Sequence, residues 1–200
     1  KALALAYNKD NNTIILSGRK ESQLNEVAAA LKSSYVLPLD VTDELAIQNA
    51  VKQVDSKFGK VDILINNAGV SQRALVTETS NDVGRQLMEV NFFGNVLLSK
   101  TVLPALRKSK GQIVVISSIA GKFGFFLRSS YSASKHALHG YYESLALEEE
   151  SSGLSVTLVC PGKINTPIST NALSADGNKH GDMDHNQETG MDVSVCVEEL

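Results

Sequence analysis

The chain has little of what several protein classes depend on. Its 200 residues contain only two cysteines, Cys160 and Cys196, too few for a disulfide framework. Cys160 ends an apolar run, SVTLVC, which points to a packed, reduced thiol rather than a nucleophile. No apolar stretch approaches the roughly 20 residues of a membrane-spanning helix, and nothing reads as a signal peptide. The simplest expectation is a cytoplasmic protein with no membrane partner. There is no surplus of positive charge: a net charge of -3 argues against nucleic acid or an anionic membrane as the main partner. Four histidines, His136, His139, His180 and His185, lack convincing metal-ligand companions, so no metal site is expected. His136 and His139, three apart on a helix, read as surface or interface residues. Internal repeats and interdomain linkers are also missing, and the length suits one domain over 1–200.

What is present is an alternation of short apolar runs with longer amphipathic ones. Residues 2–7 (ALALAY) read as the tail of a helix. Strands are expected at 13–16, 35–39, 61–65, 113–116 and 155–160. Helices are expected at 21–32, 44–58, 81–107 and 130–150, the third interrupted near Asn91–Gly94. Glu148–Glu150 reads as a solvated helix end. Such alternation predicts an α/β domain with a doubly wound, mostly parallel sheet and helices on both faces. Residues 168–191 have no periodicity and are rich in Ser, Asn, Gly, Asp and His, which suggests a functional lid or a partly disordered loop. Asp192–Leu200 reads as a helix beginning.

The chemistry concentrates in QIVVISSIAGKFGFFLRSSYSASKHAL, residues 112–138. A strand there ends on Ser117 and Ser118, and a helix follows carrying Tyr131 and Lys135. A spacing of four puts phenol and ammonium on one helical face. A free tyrosine titrates at about 10 and is a poor acid at neutrality, but a neighbouring ammonium favours the phenolate. Tuned so, Tyr131 can pass a proton to or from an oxygen that Ser118 holds. Alone, a Tyr-x-x-x-Lys pair is as well explained by an amphipathic surface; the strand-end serines shift the balance. The apolar loop of Phe123, Phe125, Phe126 and Leu127 reads equally as a pocket wall for a bulky apolar substrate or as a subunit contact.

These residues resemble the catalytic core of the short-chain dehydrogenase/reductase family, whose fold is Rossmann-like. Asn66-Asn67-Ala68-Gly69, Asn91 in MEVNFFG and Pro161-Gly162-Lys163-Ile164-Asn165-Thr166 match further motifs in the family's order. The finer pattern (SQRALVTETS, LMEVNFFG, ALSADG) is similar to the subgroup of the animal dehydrogenase/reductase family member 7 and 7B proteins and their bacterial relatives. The resemblance implies Asn91, Ser118, Tyr131 and Lys135 as the catalytic set, in hydride transfer between a nicotinamide cofactor and a small carbonyl or alcohol substrate. It implies cofactor contacts from Asp40 and Val41 at the adenine and from Asn67, Ala68 and Gly69 at the ribose. Tyr131, Lys135, Pro161, Gly162, Ile164 and Thr166 would serve the nicotinamide end. Where NAD-dependent members place an acid, this chain has Gly18 followed by Arg19 and Lys20. A guanidinium grips a 2′-phosphate that an acid would repel, so NADP(H) is favoured over NAD(H). Association as a homodimer or homotetramer through the two long helices is expected by the same resemblance.

One departure stands out. The family's first strand and the Thr-Gly-x-x-x-Gly-x-Gly turn after it, which binds the pyrophosphate, do not occur; the chain opens with Lys1 on the helix that should follow them. The last strand expected of the fold is not reached either. The expectation is a longer protein rather than a true fragment. The rival function is a module that senses NADP(H) without turnover; an intact Asn, Ser, Tyr and Lys set argues against it.

Overall fold

The computed structural model describes residues 1–199. The chain enters on helix α1 (Ala2–Tyr7) and then alternates strands and helices. Strands β1 (Ile14–Gly18) and β2 (Ser34–Pro38) pair in parallel, with Leu16 opposite Val36. Between them runs α2 (Glu21–Ala28), shorter than its periodicity predicts. The Lys32 amide donates to Oδ1 of the buried Asn8 at 2.7 Å, and this bond draws the chain out of the helix and into β2. Helix α3 (Glu44–Phe58) starts where Asp43 accepts from the Ala46 amide at 2.9 Å and stops at Gly59, whose φ of 72° only glycine adopts without strain.

Strands β3 (Ile63–Asn66), β4 (Gln112–Ile116) and β5 (Ser155–Val159) form a second parallel ladder in that order. The single sheet predicted from the alternation is thus divided: among the described residues no strand bridges the two ladders. Side chains join them instead. Val51 of α3, Val61, and Leu98 of α5 (Gly94–Ser109) pack against the apolar clusters of both halves. The predicted break in the third helix is real. Helix α4 (Asn81–Met88), capped by Ser80, passes through a π-helical turn at Glu89–Phe93 into α5. Helix α6 (Ser129–Glu148) lies against α4 and the second ladder. A buried network ties α5 and α6 to the end of β3: Asn66 Nδ2 donates to Ser99 Oγ at 2.7 Å and to Tyr142 Oη at 3.0 Å, and Tyr142 Oη donates to the Asn95 carbonyl at 2.9 Å.

Residues 168–191 are packed rather than loose. Isolated bridges join Gln72 to Leu173 and Ile164 to Met191, a short helix α7 spans His185–Glu188, and Ser169, Ala172 and Leu173 are buried. Helix α8 (Val193–Glu198) follows. Two readings from the sequence need correction. Glu149 is not solvated: its carboxylate is buried and takes two hydrogen bonds from Arg107. His139 is buried too, with Nε2 3.1 Å from Ser117 Oγ and 3.6 Å from Cys160 Sγ, and Nδ1 3.3 Å from Glu143. Among the described residues no helix is long and apolar enough to cross a membrane.

The halves meet closely at Gly94, where a Cβ would lie 2.5 Å from the Val41 carbonyl oxygen. A Gly94→Ala variant is expected to lose about 1–3 kcal/mol of stability to the forced shift of backbone, measured as a lower urea midpoint with unchanged m-value.

Candidate active site

Parallel pairing brings the C-terminal ends of β3, β4 and β5 to one edge, where ligands of open α/β sheets bind. A cleft of about 630 Å³ opens there. Its floor includes Ser118, which follows β4, and Tyr131 and Lys135 on α6. Tyr131 is 9% exposed and Lys135 5%. The Ser118 hydroxyl lies beside the Tyr131 phenol, near enough to favour its ionised form. Ser118 Oγ also accepts from the Ala120 amide at 3.1 Å, which fixes its position at the strand end. The Lys135 ammonium donates to the Ile116 carbonyl at 2.8 Å and lies 5.9 Å from the Tyr131 ring centroid. An ammonium has three donors, so that bond leaves two for the cleft.

Behind this face sits Asn91, fully buried in the π-helical turn. Its Oδ1 accepts from the Val70 amide at 2.8 Å while its Nδ2 donates to the Val70 carbonyl at 2.9 Å and to Ser134 Oγ at 2.9 Å. Ser134 Oγ in turn donates to the Tyr131 carbonyl at 2.7 Å. The widened turn disturbs the helical ladder; Asn95 Nδ2 donates to the Asn91 carbonyl at 2.6 Å. Gly69 completes the cradle: a Cβ there would lie 3.3 Å from Asn91 Oδ1 and 3.7 Å from Lys135 Nζ.

A family model described as short chain dehydrogenase matches residues 1–177. The chain belongs to the short-chain dehydrogenase family. It is 38% identical over 196 residues to dehydrogenase/reductase SDR family member 7B of Mus musculus, covering 94% of this chain and 61% of that protein. It is 37% identical over 209 residues to the family protein 7-like of Drosophila melanogaster, covering all of this chain and 64% of that one. These relatives support the member 7 subgroup, and the chain spans about three fifths of their length. Among solved structures, a short-chain dehydrogenase from Streptomyces avermitilis matches with a TM-score of 0.80 at 34% identity, over 86% of this chain and 65% of that one. ElxO with NADP bound matches with a TM-score of 0.77 at 31% identity, over 82% and 68%.

Not every residue expected from the family's motifs meets in the cleft. Asn67, Gly69, Pro161, Gly162, Ile164 and Thr166 line it beside Ser118, Tyr131 and Lys135. Ala68 contributes its carbonyl to Asn95 at 3.4 Å. Arg19, Asp40 and Val41 lie outside this cleft, at the ends of β1 and β2. Asp40 Oδ1 accepts from the Thr42 amide and hydroxyl at 3.0 and 2.8 Å, and Arg19 is near enough to act on its charge. Those bonds, the Thr42 amide first, hold the Asp40 carboxyl below the ordinary range. Phe125, Phe126 and Leu127 form part of the cleft wall, although Phe126 remains 81% exposed. Leu127 has a φ of 62°, a left-handed conformation unusual for a branched residue, and its carbonyl accepts from the Ala74 amide at 3.2 Å.

The electrostatics differ from the expectation for Lys135. Burial raises the Tyr131 phenol above its usual range, and what opposes it is the neighbouring Ser118 hydroxyl and the charge of Arg128. Arg128 went unnoticed in the sequence. It donates to Ser71 Oγ at 2.5 Å and to the Gln72 carbonyl at 2.9 Å, and shares Asp184 with Arg73. Its partners stand 56 and more positions away, so no local spacing could reveal it. Gln72 was missed for the same reason. Burial alone brings the Lys135 ammonium down to about 8.

That depression has a sign. Unfolded, the lysine keeps its proton to about 10.4, whereas the folded chain releases it above about 8. Between those values the unfolded state binds more protons, so stability rises with pH. Above 10 the raised phenols of Tyr131 and Tyr142 act in the opposite sense. Urea midpoints are therefore expected to climb from pH 8 to 10, and in Lys135→Met this rise should vanish.

Proposed function

We propose that the protein is an NADP(H)-dependent oxidoreductase that interconverts a carbonyl and an alcohol. The observation that carries this reading is the placement of Ser118 and the Tyr131 phenol side by side in one cleft with a buried Lys135 that has donors to spare. Ser118 and Tyr131 together grip the substrate oxygen, and Tyr131 gives it a proton or takes one away. The nicotinamide, when bound, supplies or accepts the hydride at the adjoining carbon. The Lys135 ammonium, for which Gly69 leaves room, fits ribose hydroxyls, which need hydrogen-bond donors. Asn91 holds the Val70 backbone and, through Ser134, the first turn of α6. The Pro161–Thr166 segment fits the carboxamide end.

For the choice of cofactor, Gly18 rather than an acid at the end of β1, followed by Arg19, favours a 2′-phosphate, and ElxO, a structural relative, is an NADP complex. A substrate with an apolar body suits the wall of Phe125, Phe126 and Leu127. The proposal extends to a homodimer or homotetramer, supported by the exposure of Phe93 and of Leu147 on α6. It also places the protein in the cytoplasm, where the free thiols Cys160 and Cys196 stay reduced.

Tyr131→Phe is expected to lower kcat by at least ~100-fold while NADPH affinity, read by fluorescence titration, stays within a factor of two. Wild-type turnover by this variant would end the proposal. Arg19→Ala should weaken NADPH by about tenfold or more and leave NADH nearly unchanged; equal losses would remove the NADP assignment.

A further inference from the structure

We propose that Gln72 is a positioning residue for Tyr131, an inference that rests on the reading of Tyr131 as the acid/base. Helix α6 begins without a cap of its own: Arg128, at the N-cap position, makes no side-chain cap bond. The first amides of a helix have no intrahelical acceptor, and an uncapped end frays. Gln72 supplies the acceptor from 58 residues away. Its Oε1 takes the Ser130 amide at 2.9 Å and the Tyr131 amide at 3.3 Å. The bonded residues include the phenol-bearing one itself.

The orientation of this amide is set by its other end. Gln72 Nε2 donates to Thr79 Oγ1 at 2.9 Å, and the Thr79 hydroxyl spends its hydrogen on the Leu75 carbonyl at 2.7 Å. Thr79 can therefore only accept from Gln72. A flipped amide would put N–H groups against the N–H groups of Ser130 and Tyr131. Gln72 is completely buried, so water offers no substitute for any of these bonds. Its backbone is pinned as well. The Arg73 amide donates to the Leu173 carbonyl and the Leu173 amide to the Ser71 carbonyl, both at 2.8 Å. The Gln72 carbonyl accepts from Arg128, the cation that acts on the phenol. Gln72 thus holds the third residue of α6 from the N-terminal side, while Asn91 and Ser134 hold it from the other.

Gln72→Met keeps the length and removes both polar atoms; Gln72→Glu, held neutral by the full burial of the position, keeps the acceptor for α6 and an O–H donor for Thr79. Steady-state kinetics with NADPH and a carbonyl substrate are measured for both, with Tyr131→Phe alongside. Gln72→Met is expected to lower kcat about tenfold or more through misplacement of the phenol, with the KM for NADPH within a factor of two. Gln72→Glu should recover most of the lost turnover. Thr79→Val, which releases the amide without touching α6, should lower kcat in the same direction by less, and decides the matter if Gln72→Met does not fold. Wild-type kcat in Gln72→Met, equal losses in Gln72→Met and Gln72→Glu, or a loss confined to the KM for NADPH would each overturn the inference. An inactive Tyr131→Phe beside a fully active Gln72→Met refutes the positioning role alone; a fully active Tyr131→Phe refutes the function on which it rests.

Discussion

The pairing of the Asn91 side chain with the backbone of Val70 is the contact on which the site depends. A carboxamide carries one acceptor and two donors; here the acceptor and one donor meet a single residue's amide and carbonyl, as a neighbouring strand would. The second donor role reaches Ser134 and so the carbonyl of Tyr131. The loop and helix α6 are thus held by one buried group. Only a widened helical turn can deliver that group, because a regular helix between α4 and α5 would carry Asn91 at a different angle. The disturbance of the ladder is offset locally by Asn95.

Burial then decides the charges. Water is kept from Tyr131 and Lys135, and both move toward neutrality: the phenol holds its proton more firmly and the ammonium holds its own less firmly. A second cation, Arg128, is kept charged beside the phenol by Asp184 and by acceptors from the Ser71–Gln72 segment. The packing of residues 168–191 therefore bears on the chemistry, since Asp184 comes from that stretch.

Much of this was legible in the order of residues. Tyr131 and Lys135 share a helical face because four positions make nearly one turn, and Asn91 with Gly94 marks a break in a helix-forming run. Period and local propensity carry such information. Two other matters do not depend on either. The course of 168–191 follows from bridges to Gln72 and Lys163–Ile164, not from its own composition. Likewise Glu149 and His139 look solvated in sequence but are buried against Arg107 and Ser117, partners 42 and 22 positions away.

Leu127 shows what such a site costs. Its left-handed backbone carries a penalty of roughly 1 kcal/mol that glycine would not incur, yet glycine would open the apolar wall of the cleft. The residue that is easiest on the fold is thus not the one that best serves the cavity. A thermostabilising screen that accepts Leu127→Gly should therefore relieve the backbone at the expense of a closed apolar wall.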